Sequence, residues 1–444
     1  MTTLSDSALD PVLARLAQAN AEIQRRYPGD SSRRQPVHTV YGGAQVFQSD
    51  TAAKLGALAL RALADYAPDA ATLAEAIGLT AGFAPAVYTR VLEKLRREPV
   101  EDFRVDFEDG YGNRPDAEED GHALAAAREM ATGLASGTLP PYVGIRIKPL
   151  TEELKARSVR TLDLFVTELS AGTNRQLPET LVVTLPKVTS PEQVAALADL
   201  LELLESRLAL PRRISVEIMI ETPQSIVNGG GEIALQTLAA AARGRCVAAH
   251  FGTYDYTASL NITAAHQHMA HPACDFARHL MQTALAGTGI WISDGATNVL
   301  PVPPHRGEKT LSGPEAAENR SVVHSAWRLH YQHVRRSLEH AFYQGWDLHP
   351  AQLPTRYAAL YAFFLEGLDA ASDRLRHFVA KAGQATLVGE VFDDAATGQG
   401  LLNFFLRAVN CGAIGEEEAA ERSGLSLDEL KGRSFVRILR NRRR

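Results

Sequence analysis

Eight short runs rich in β-branched and aromatic residues punctuate this chain, at 37–41, 103–107, 142–148, 181–187, 214–221, 246–252, 290–294 and 345–349. Most of the intervals between them carry helical periodicity, as at 51–66, 117–135, 152–169, 191–208, 275–286 and 315–343. Strand and helix in alternation imply parallel strands joined by crossover helices. Eight of them favour closure into a (β/α)8 TIM barrel of the α/β class over an open doubly wound sheet.

The chain has 444 residues, more than the ~250 typical of a single barrel. The surplus divides into an N-terminal extension (1–35, with a helix at 11–26 that packs beside the barrel), a barrel (36–370) carrying a metal site, and a C-terminal helical segment (371–444). The first connection, 51–100, has room for more than one helix. Helical patterns recur at 400–409, 416–423 and 425–438.

Side chains alternate faces along a strand, so Glu217, Met219 and Glu221 share one side and Val216, Ile218 and Ile220 the other. The all-apolar side should meet helices and the other the barrel axis. The same parity groups Arg104, Asp106 and Glu108; Gly144, Arg146 and Lys148; and Val183, Leu185 and Lys187. Each inward set therefore ends in a charge. Glu221 closes Ile214-Ser-Val-Glu-Ile-Met-Ile-Glu221, and Asp255 follows the next run by three residues. Carboxylates at neighbouring strand ends converge at the catalytic face of a barrel. Mg²⁺, with Mn²⁺ as the alternative, is held by one or two carboxylates and leaves its other positions to water and substrate.

The segments Phe107-Glu-Asp-Gly110, Ile145-Arg146-Ile, Leu185-Pro-Lys187, Ile220-Glu221-Thr222, Phe251-Gly-Thr-Tyr-Asp255-Tyr, Ile292-Ser-Asp294-Gly and Asp347-Leu-His349-Pro350 stand in an order that resembles the citrate lyase β-subunit-like members of the HpcH/HpaI aldolase family. Malyl-CoA lyases and, more distantly, malate synthases look similar. The resemblance implies a phosphoenolpyruvate/pyruvate-type barrel, Mg²⁺, and making or breaking a carbon–carbon bond beside a carbonyl. It further implies that Glu221 and Asp255 hold the metal and that Arg146 contacts substrate or enolate oxygens. Where the HpaI branch has a histidine near the end of the second strand, this chain has Asp106-Phe-Glu-Asp-Gly110, which leaves the general base open.

The expected function is a Mg²⁺-dependent carbon–carbon lyase of aldolase type, acting on a 2-oxo acid or hydroxyacyl substrate through a metal-stabilised enolate. The expected catalytic set is Arg146, Asp106, Glu108, Asp109, Lys187 and His349, with Arg146 and Asp294 on the substrate and Glu221 and Asp255 on the metal. His38 is a second candidate base. A metal-free Schiff base on Lys148 or Lys187 would leave the carboxylate pair without a purpose. The rival readings are an acyl-CoA lyase of citryl- or malyl-CoA type, a malate-synthase-like condensing enzyme, and a non-catalytic barrel that binds a small acid.

Two further motifs carry less. His266-Gln-His268-Met-Ala-His271 lacks a carboxylate partner and reads as surface or lid histidines, and Gly229-Gly-Gly231 has neither phosphate-loop spacing nor a following Lys-Ser/Thr.

Composition fits a soluble protein: 45% hydrophobic and 22% charged. No apolar run approaches the ~20 residues of a membrane span, and Met1-Thr-Thr-Leu-Ser-Asp lacks a basic-then-apolar leader. Cys246, Cys274 and Cys411 are widely spaced and read as reduced thiols, so the expected location is the cytoplasm. With a net charge of -6, the basic tail Arg440-Asn-Arg-Arg-Arg444 reads as a solvated end, and neither nucleic acid nor membrane is expected as a partner. The expected partners are a small carboxylic acid or acyl-CoA and further copies of the chain in a homo-oligomer, with the C-terminal helices closing over substrate.

Overall fold

A computed structural model of the chain describes residues 4, 6–31, 33–307, 311–380, 386–388, 391–393 and 395–442. An N-terminal helix α1 (Asp6–Arg26) leads to β1 (His38–Gly43), and three helices follow in the long first connection, α2 (Thr51–Tyr66), α3 (Ala70–Ile77) and α4 (Ala84–Arg97). Strand and helix then alternate: β2 (Asp102–Asp106), α5 (Asp116–Ser136), β3 (Tyr142–Arg146), α6 (Lys155–Gly172), β4 (Leu181–Leu185), α7 (Pro191–Leu208), β5 (Ser215–Ile220), α8 (Pro223–Ile226) and α9 (Leu235–Ala241). The barrel ends with β6 (Cys246–Phe251), α10 (Thr253–Ser259), α11 (Pro272–Leu285), β7 (Trp291–Ser293), α12 (Gly313–Glu339), β8 (Gly345–Asp347) and α13 (Leu353–Ala380), the last running through residue 370 without a break. A short antiparallel pair, β9 (Thr386–Val388) and β10 (Val391–Asp393), precedes α14 (Ala395–Asn410), α15 (Glu416–Ser423), α16 (Leu427–Lys431) and α17 (Phe435–Arg442).

Local chemistry sets several of these starts. Pro191 and Pro272 occupy first-turn positions of α7 and α11, where a missing N–H costs nothing. Ser312 and Glu315 close a reciprocal capping box at α12.

The eight strands pair in parallel in the order β7-β6-β5-β4-β3-β2-β1-β8. Between β7 and β8 the ladder is short: Asp294 N–H donates to Gln344 O at 2.9 Å and Trp346 N–H to Gly295 O at 3.3 Å. These bonds bring the barrel round to near closure, so all eight sequence runs become strands of one TIM barrel. Outward residues such as Phe103, Val105, Phe107, Ile145, Val183, Val216 and Ile218 are buried beneath the helices in one apolar cluster. Each such side chain contributes about 1.5–3 kcal/mol when fully buried.

The expected parity holds on β2 and β5 but not throughout. On β4 it is Thr184 that faces the axis, donating to Glu217 Oε1 at 2.7 Å, while Val183 and Leu185 face the helices. Lys187 still reaches the site because the strand stops at Leu185 and Lys187 adopts a left-handed backbone (φ 49°), which breaks the alternation. Conversely Lys148, two residues beyond β3, turns outward to Glu119 of α5 (2.8 Å) and the Phe107 carbonyl (2.6 Å).

The ends of the chain also differ from expectation. Helix α1 leaves Val12, Leu13, Leu16 and Ile23 at least half exposed; it touches the barrel near its end, where Arg26 donates to Gln236. The pattern at 425–438 breaks into α16 and α17 at Gly432-Arg433, where Arg433 takes φ 52°. Helix α14 docks on the N-terminal mouth: Arg407 donates to Gln35 (2.7 Å), and Asn410 exchanges hydrogen bonds with the Gln35 backbone. Within one chain, therefore, this part of the C-terminal segment lies opposite the strand ends that carry the site and does not cover them. Of the basic tail, Arg443 and Arg444 lie outside the described residues.

Candidate functional site

At the C-terminal mouth, residues at or just beyond the ends of β2, β3, β4, β5 and β6 meet. Arg146, the last residue of β3, is 3% exposed. Its Nε donates to Asp106 Oδ1 at 2.7 Å and its Nη2 to Asp106 Oδ2, a two-pronged clamp that uses the planar guanidinium fork. The remaining nitrogen, Nη1, lies 3.2 Å from Glu108 Oε2 and 3.8 Å from Met219 Sδ. Tyr41 and Trp346 flank the guanidinium with ring centroids 4.7 and 5.5 Å away. Asp106 is itself held by the N–H groups of Glu108 (3.0 Å) and Gly110 (2.7 Å). Position 110 must be small, since a Cβ there would stand 2.6 Å from Asp106 Oδ2.

Glu221 follows β5 and is 1% exposed. Its Oε1 accepts the Lys187 backbone N–H at 2.7 Å. Its carboxylate also lies across Gly252, where any Cβ would collide with it, which gives a steric reason for glycine in Phe251-Gly-Thr-Tyr-Asp255. Burial first, and the charge of Asp255 second, push the Glu221 pKa up to about 8. Asp255 sits in the first turn of α10 with its side chain 38% exposed.

The Lys187 ammonium stands among the carboxylates, 3.2 Å from Asp255 Oδ2 and 3.3 Å from Asp109 Oδ2, and in contact with Glu108. Burial opposes its charge, but Glu108, Glu221 and Asp255 outweigh burial and raise its pKa well above the ordinary value. A lysine held this firmly as ammonium is a poor Schiff-base nucleophile, and Lys148, spent on Glu119, is no better placed.

Asp106, Glu108, Asp109, Arg146, Lys187, Glu221 and Asp255 are thus brought together. Asp294 is not: its oxygens take Arg278 Nε (2.8 Å), the Gly295 N–H (2.8 Å) and Ser337 Oγ (2.6 Å). His38 is fully buried against Asp347 (2.7 Å) and the Glu101 N–H (3.0 Å), a structural contact. His349 follows β8, with Nδ1 accepting the Ala351 N–H at 3.2 Å; burial and then Arg306 lower its pKa. Among the described residues no group of three or more His, Cys, Asp or Glu side chains is arranged to hold a metal, which includes the histidines at 266, 268 and 271. Gly230 and Glu232 fold back on the Asn228 side chain in a tight turn.

The sequence reading missed Tyr41 and Trp346. Tyr41 lies two residues beyond Thr39 on the inward face of β1, a parity signal that could have found it.

A family model described as Domain of unknown function (DUF6986) matches residues 16–438. The chain belongs to that family. No curated protein matches it. Among solved structures, a citrate lyase from Burkholderia xenovorans is 17% identical with a TM-score of 0.59, over 89% of this chain and 97% of that one. CitE from Mycobacterium tuberculosis, in complex with magnesium, acetoacetate and coenzyme A, is 17% identical with a TM-score of 0.49, over 85% and 99%. Malate synthase from Haloferax volcanii is 14% identical with a TM-score of 0.45, over 91% and 98%. The DUF6986 chain shares the citrate lyase-like barrel fold expected from its ordered motifs. None of its described helices is long and apolar enough to cross a membrane.

Proposed function

We propose that this DUF6986 protein is a divalent-cation-dependent carbon–carbon lyase of aldolase type, acting on a 2-oxo acid or hydroxyacyl substrate. The observation that carries the reading is the pair Glu221, buried, and Asp255, 38% exposed at its side chain, two carboxylates beyond successive strands whose charges repel one another. Hard oxygen donors in this number suit Mg²⁺, or Mn²⁺ in its place, which needs few protein ligands. When bound, such a cation supplies Lewis-acid stabilisation of the negative charge that develops on a carbonyl oxygen as the adjacent bond breaks. The citrate lyase-like fold agrees with this class of chemistry without establishing it.

The chain's own residues take the remaining roles. Lys187 fixes Glu221 through its backbone N–H and balances Glu108, Asp109 and Asp255 through its ammonium. Asp106 holds two nitrogens of Arg146, and the third, Nη1, 3.2 Å from Glu108 Oε2, is the one whose charge would meet a substrate carboxylate or carbonyl oxygen. Tyr41 and Trp346 exclude water from the guanidinium and so strengthen that interaction. His349 fits a donor better than a base, because an Nδ1 that accepts the Ala351 N–H leaves the proton of a neutral ring on Nε2.

Incubating the protein with Mg²⁺ and pyruvate plus aldehydes, malyl-CoA or citryl-CoA, while following pyruvate and free thiol, tests the reading. Turnover that requires Mg²⁺ and disappears in Asp255→Asn supports it. Mg²⁺ binding without turnover on any substrate favours a small-acid-binding barrel, and absence of Mg²⁺ binding overturns the site.

A further inference from the structure

Lys187 enters the site twice, once through its backbone and once through its charge. Its N–H holds Glu221 Oε1 at 2.7 Å, and its left-handed backbone (φ 49°) lets the side chain reach the mouth as well. There the ammonium lies 3.2 Å from Asp255 Oδ2, 3.3 Å from Asp109 Oδ2 and against Glu108 Oε1. One residue thus fixes one carboxylate of the candidate pair through an amide and meets the other with a positive charge.

The two attachments differ in what they can release. The amide belongs to the main chain. The ammonium rides on a flexible stem, is 29% exposed at its side chain, and has three donors to distribute. Glu108 and Asp109 stand on one side of it, beyond β2, and Asp255 on the other, beyond β6. The Glu108 side is the firmer: Glu108 Oε2 also accepts the Asp109 N–H at 2.9 Å and lies 3.2 Å from Arg146 Nη1. The contact with Asp255, on the short helix α10, is therefore the one free to break.

Charge gives that contact a consequence. A divalent cation between Glu221 and Asp255 would stand close to the ammonium, and like charges repel most strongly where water is scarce. Five carboxylates, Asp106, Glu108, Asp109, Glu221 and Asp255, stand against two cations, Arg146 and Lys187. The cluster can accept a divalent cation and keep both of its own, provided that the ammonium yields Asp255 and stays with Glu108 and Asp109.

We propose that Lys187 is a built-in competitor for the cation: its ammonium holds Asp255 until a divalent cation enters, then draws back onto Glu108 and Asp109, so that this side chain limits the affinity of the site. The inference rests on the proposed cation reading and adds to it the residue that restrains binding. A lysine that only oriented Asp255 would act in the opposite sense, since its removal would loosen a ligand and weaken binding.

The test is calorimetric titration of the full chain with magnesium chloride, at ionic strength held constant by potassium chloride. Lys187→Met keeps the backbone N–H on Glu221 and most of the stem but loses the charge, and should bind Mg²⁺ at least ~10-fold more tightly than the parent. Lys187→Arg keeps the charge and should not tighten binding. Adding Glu221→Gln to Lys187→Met should abolish binding, which ties the gain to this site. Thermal unfolding is a second readout: without Mg²⁺ Lys187→Met should melt below the parent, and saturating Mg²⁺ should raise its Tm by more than the parent's. Should Lys187→Met fail to fold, Lys187→Gln carries the same expectations. Equal or weaker affinity in the uncharged variant, or an equal gain in Lys187→Arg, overturns the competitor and leaves the metal site standing. Mg²⁺ binding by none of the proteins overturns the cation reading and the competitor with it, whereas binding by the uncharged variant alone supports both.

Discussion

The Arg146–Asp106 clamp allows the sharpest prediction because both partners are buried and the contacts are specified atom by atom. Arg146→Met leaves Asp106 with the N–H groups of Glu108 and Gly110 but without its paired cation. Removing one member of a buried pair costs about 3–5 kcal/mol, and the lost faces of Tyr41 and Trp346 add to that. Arg146→Lys keeps the charge but has one nitrogen for an arrangement that uses three, so it forfeits at least one charge-assisted hydrogen bond of about 1.5–3 kcal/mol. Urea unfolding should rank wild type, Lys and Met in descending stability. In a double-mutant cycle with Asp106→Asn, the coupling energy should exceed ~1 kcal/mol. On whichever substrate turns over, Arg146→Lys should lower kcat at least ~10-fold, equivalent to ~1.4 kcal/mol of transition-state stabilisation, even where the protein is fully folded. Equal unfolding free energies in all three proteins would refute the clamp. Unchanged kcat in a folded Lys variant would confine Arg146 to structure.

Glu221→Gln or Asp255→Asn should abolish Mg²⁺ binding in calorimetry without loss of cooperative unfolding; metal binding like the parent's in both would move the site elsewhere. Acid should destabilise the protein through His333, whose pKa burial lowers to about 4 from 6.5. The folded state then prefers the neutral ring, so the contribution is present above 6.5 and is lost as pH falls toward 4, to a limit of about 3 kcal/mol. His333→Asn, which can still meet Thr297 Oγ1, should show a smaller stability difference between pH 7.5 and 5, and an undiminished difference would exclude His333 as the cause. Removing residues 372–444 should give an insoluble chain, since Leu375, Phe378, Leu402, Phe405 and Ile414 are buried in the same apolar cluster as the barrel; a soluble truncated protein with cooperative unfolding would refute that continuity.

The strands were legible because β-branched and aromatic runs bounded by polar residues are what a parallel barrel strand requires, and 181–187 and 214–221 each contain an observed strand. Their ends were less legible. The pattern continues for two residues past the last strand residue, to Lys148 and Lys187, so alternation was extended into loop backbone whose φ the sequence does not announce. Lys187 reached the cluster by a left-handed turn and Lys148 left it, although the two looked equivalent. Carboxylates at strand ends were readable since charge at those positions is costly without a purpose. Tyr41 and Trp346 were not, because a buried aromatic is more often packing than a wall for a guanidinium. The docking face of α14 was also hidden: amphipathic periodicity shows that a helix buries one side, not against which mouth of the barrel.

Two glutamates on one face of β5 and its continuation show what distinguishes structure from a ligand site. Glu217 and Glu221 are equally buried, each 1% exposed. Glu217 meets Arg104 at 3.0 Å, His250 Nε2 at 2.8 Å and Thr184 Oγ1 at 2.7 Å, and these partners hold its carboxyl well below the usual range although burial pulls the other way. Glu221, two pleat repeats closer to the mouth, has a backbone N–H and the Lys187 ammonium in its surroundings, but also Asp255, and its carboxyl moves up. Burial is common to both, so it does not account for the opposite shifts; the balance of neighbouring charge does. The lower position is already neutralised by the chain's own cation, whereas on the proposed reading the upper one takes a divalent cation beyond the Lys187 ammonium, at the end of the barrel where substrate oxygens would complete the coordination.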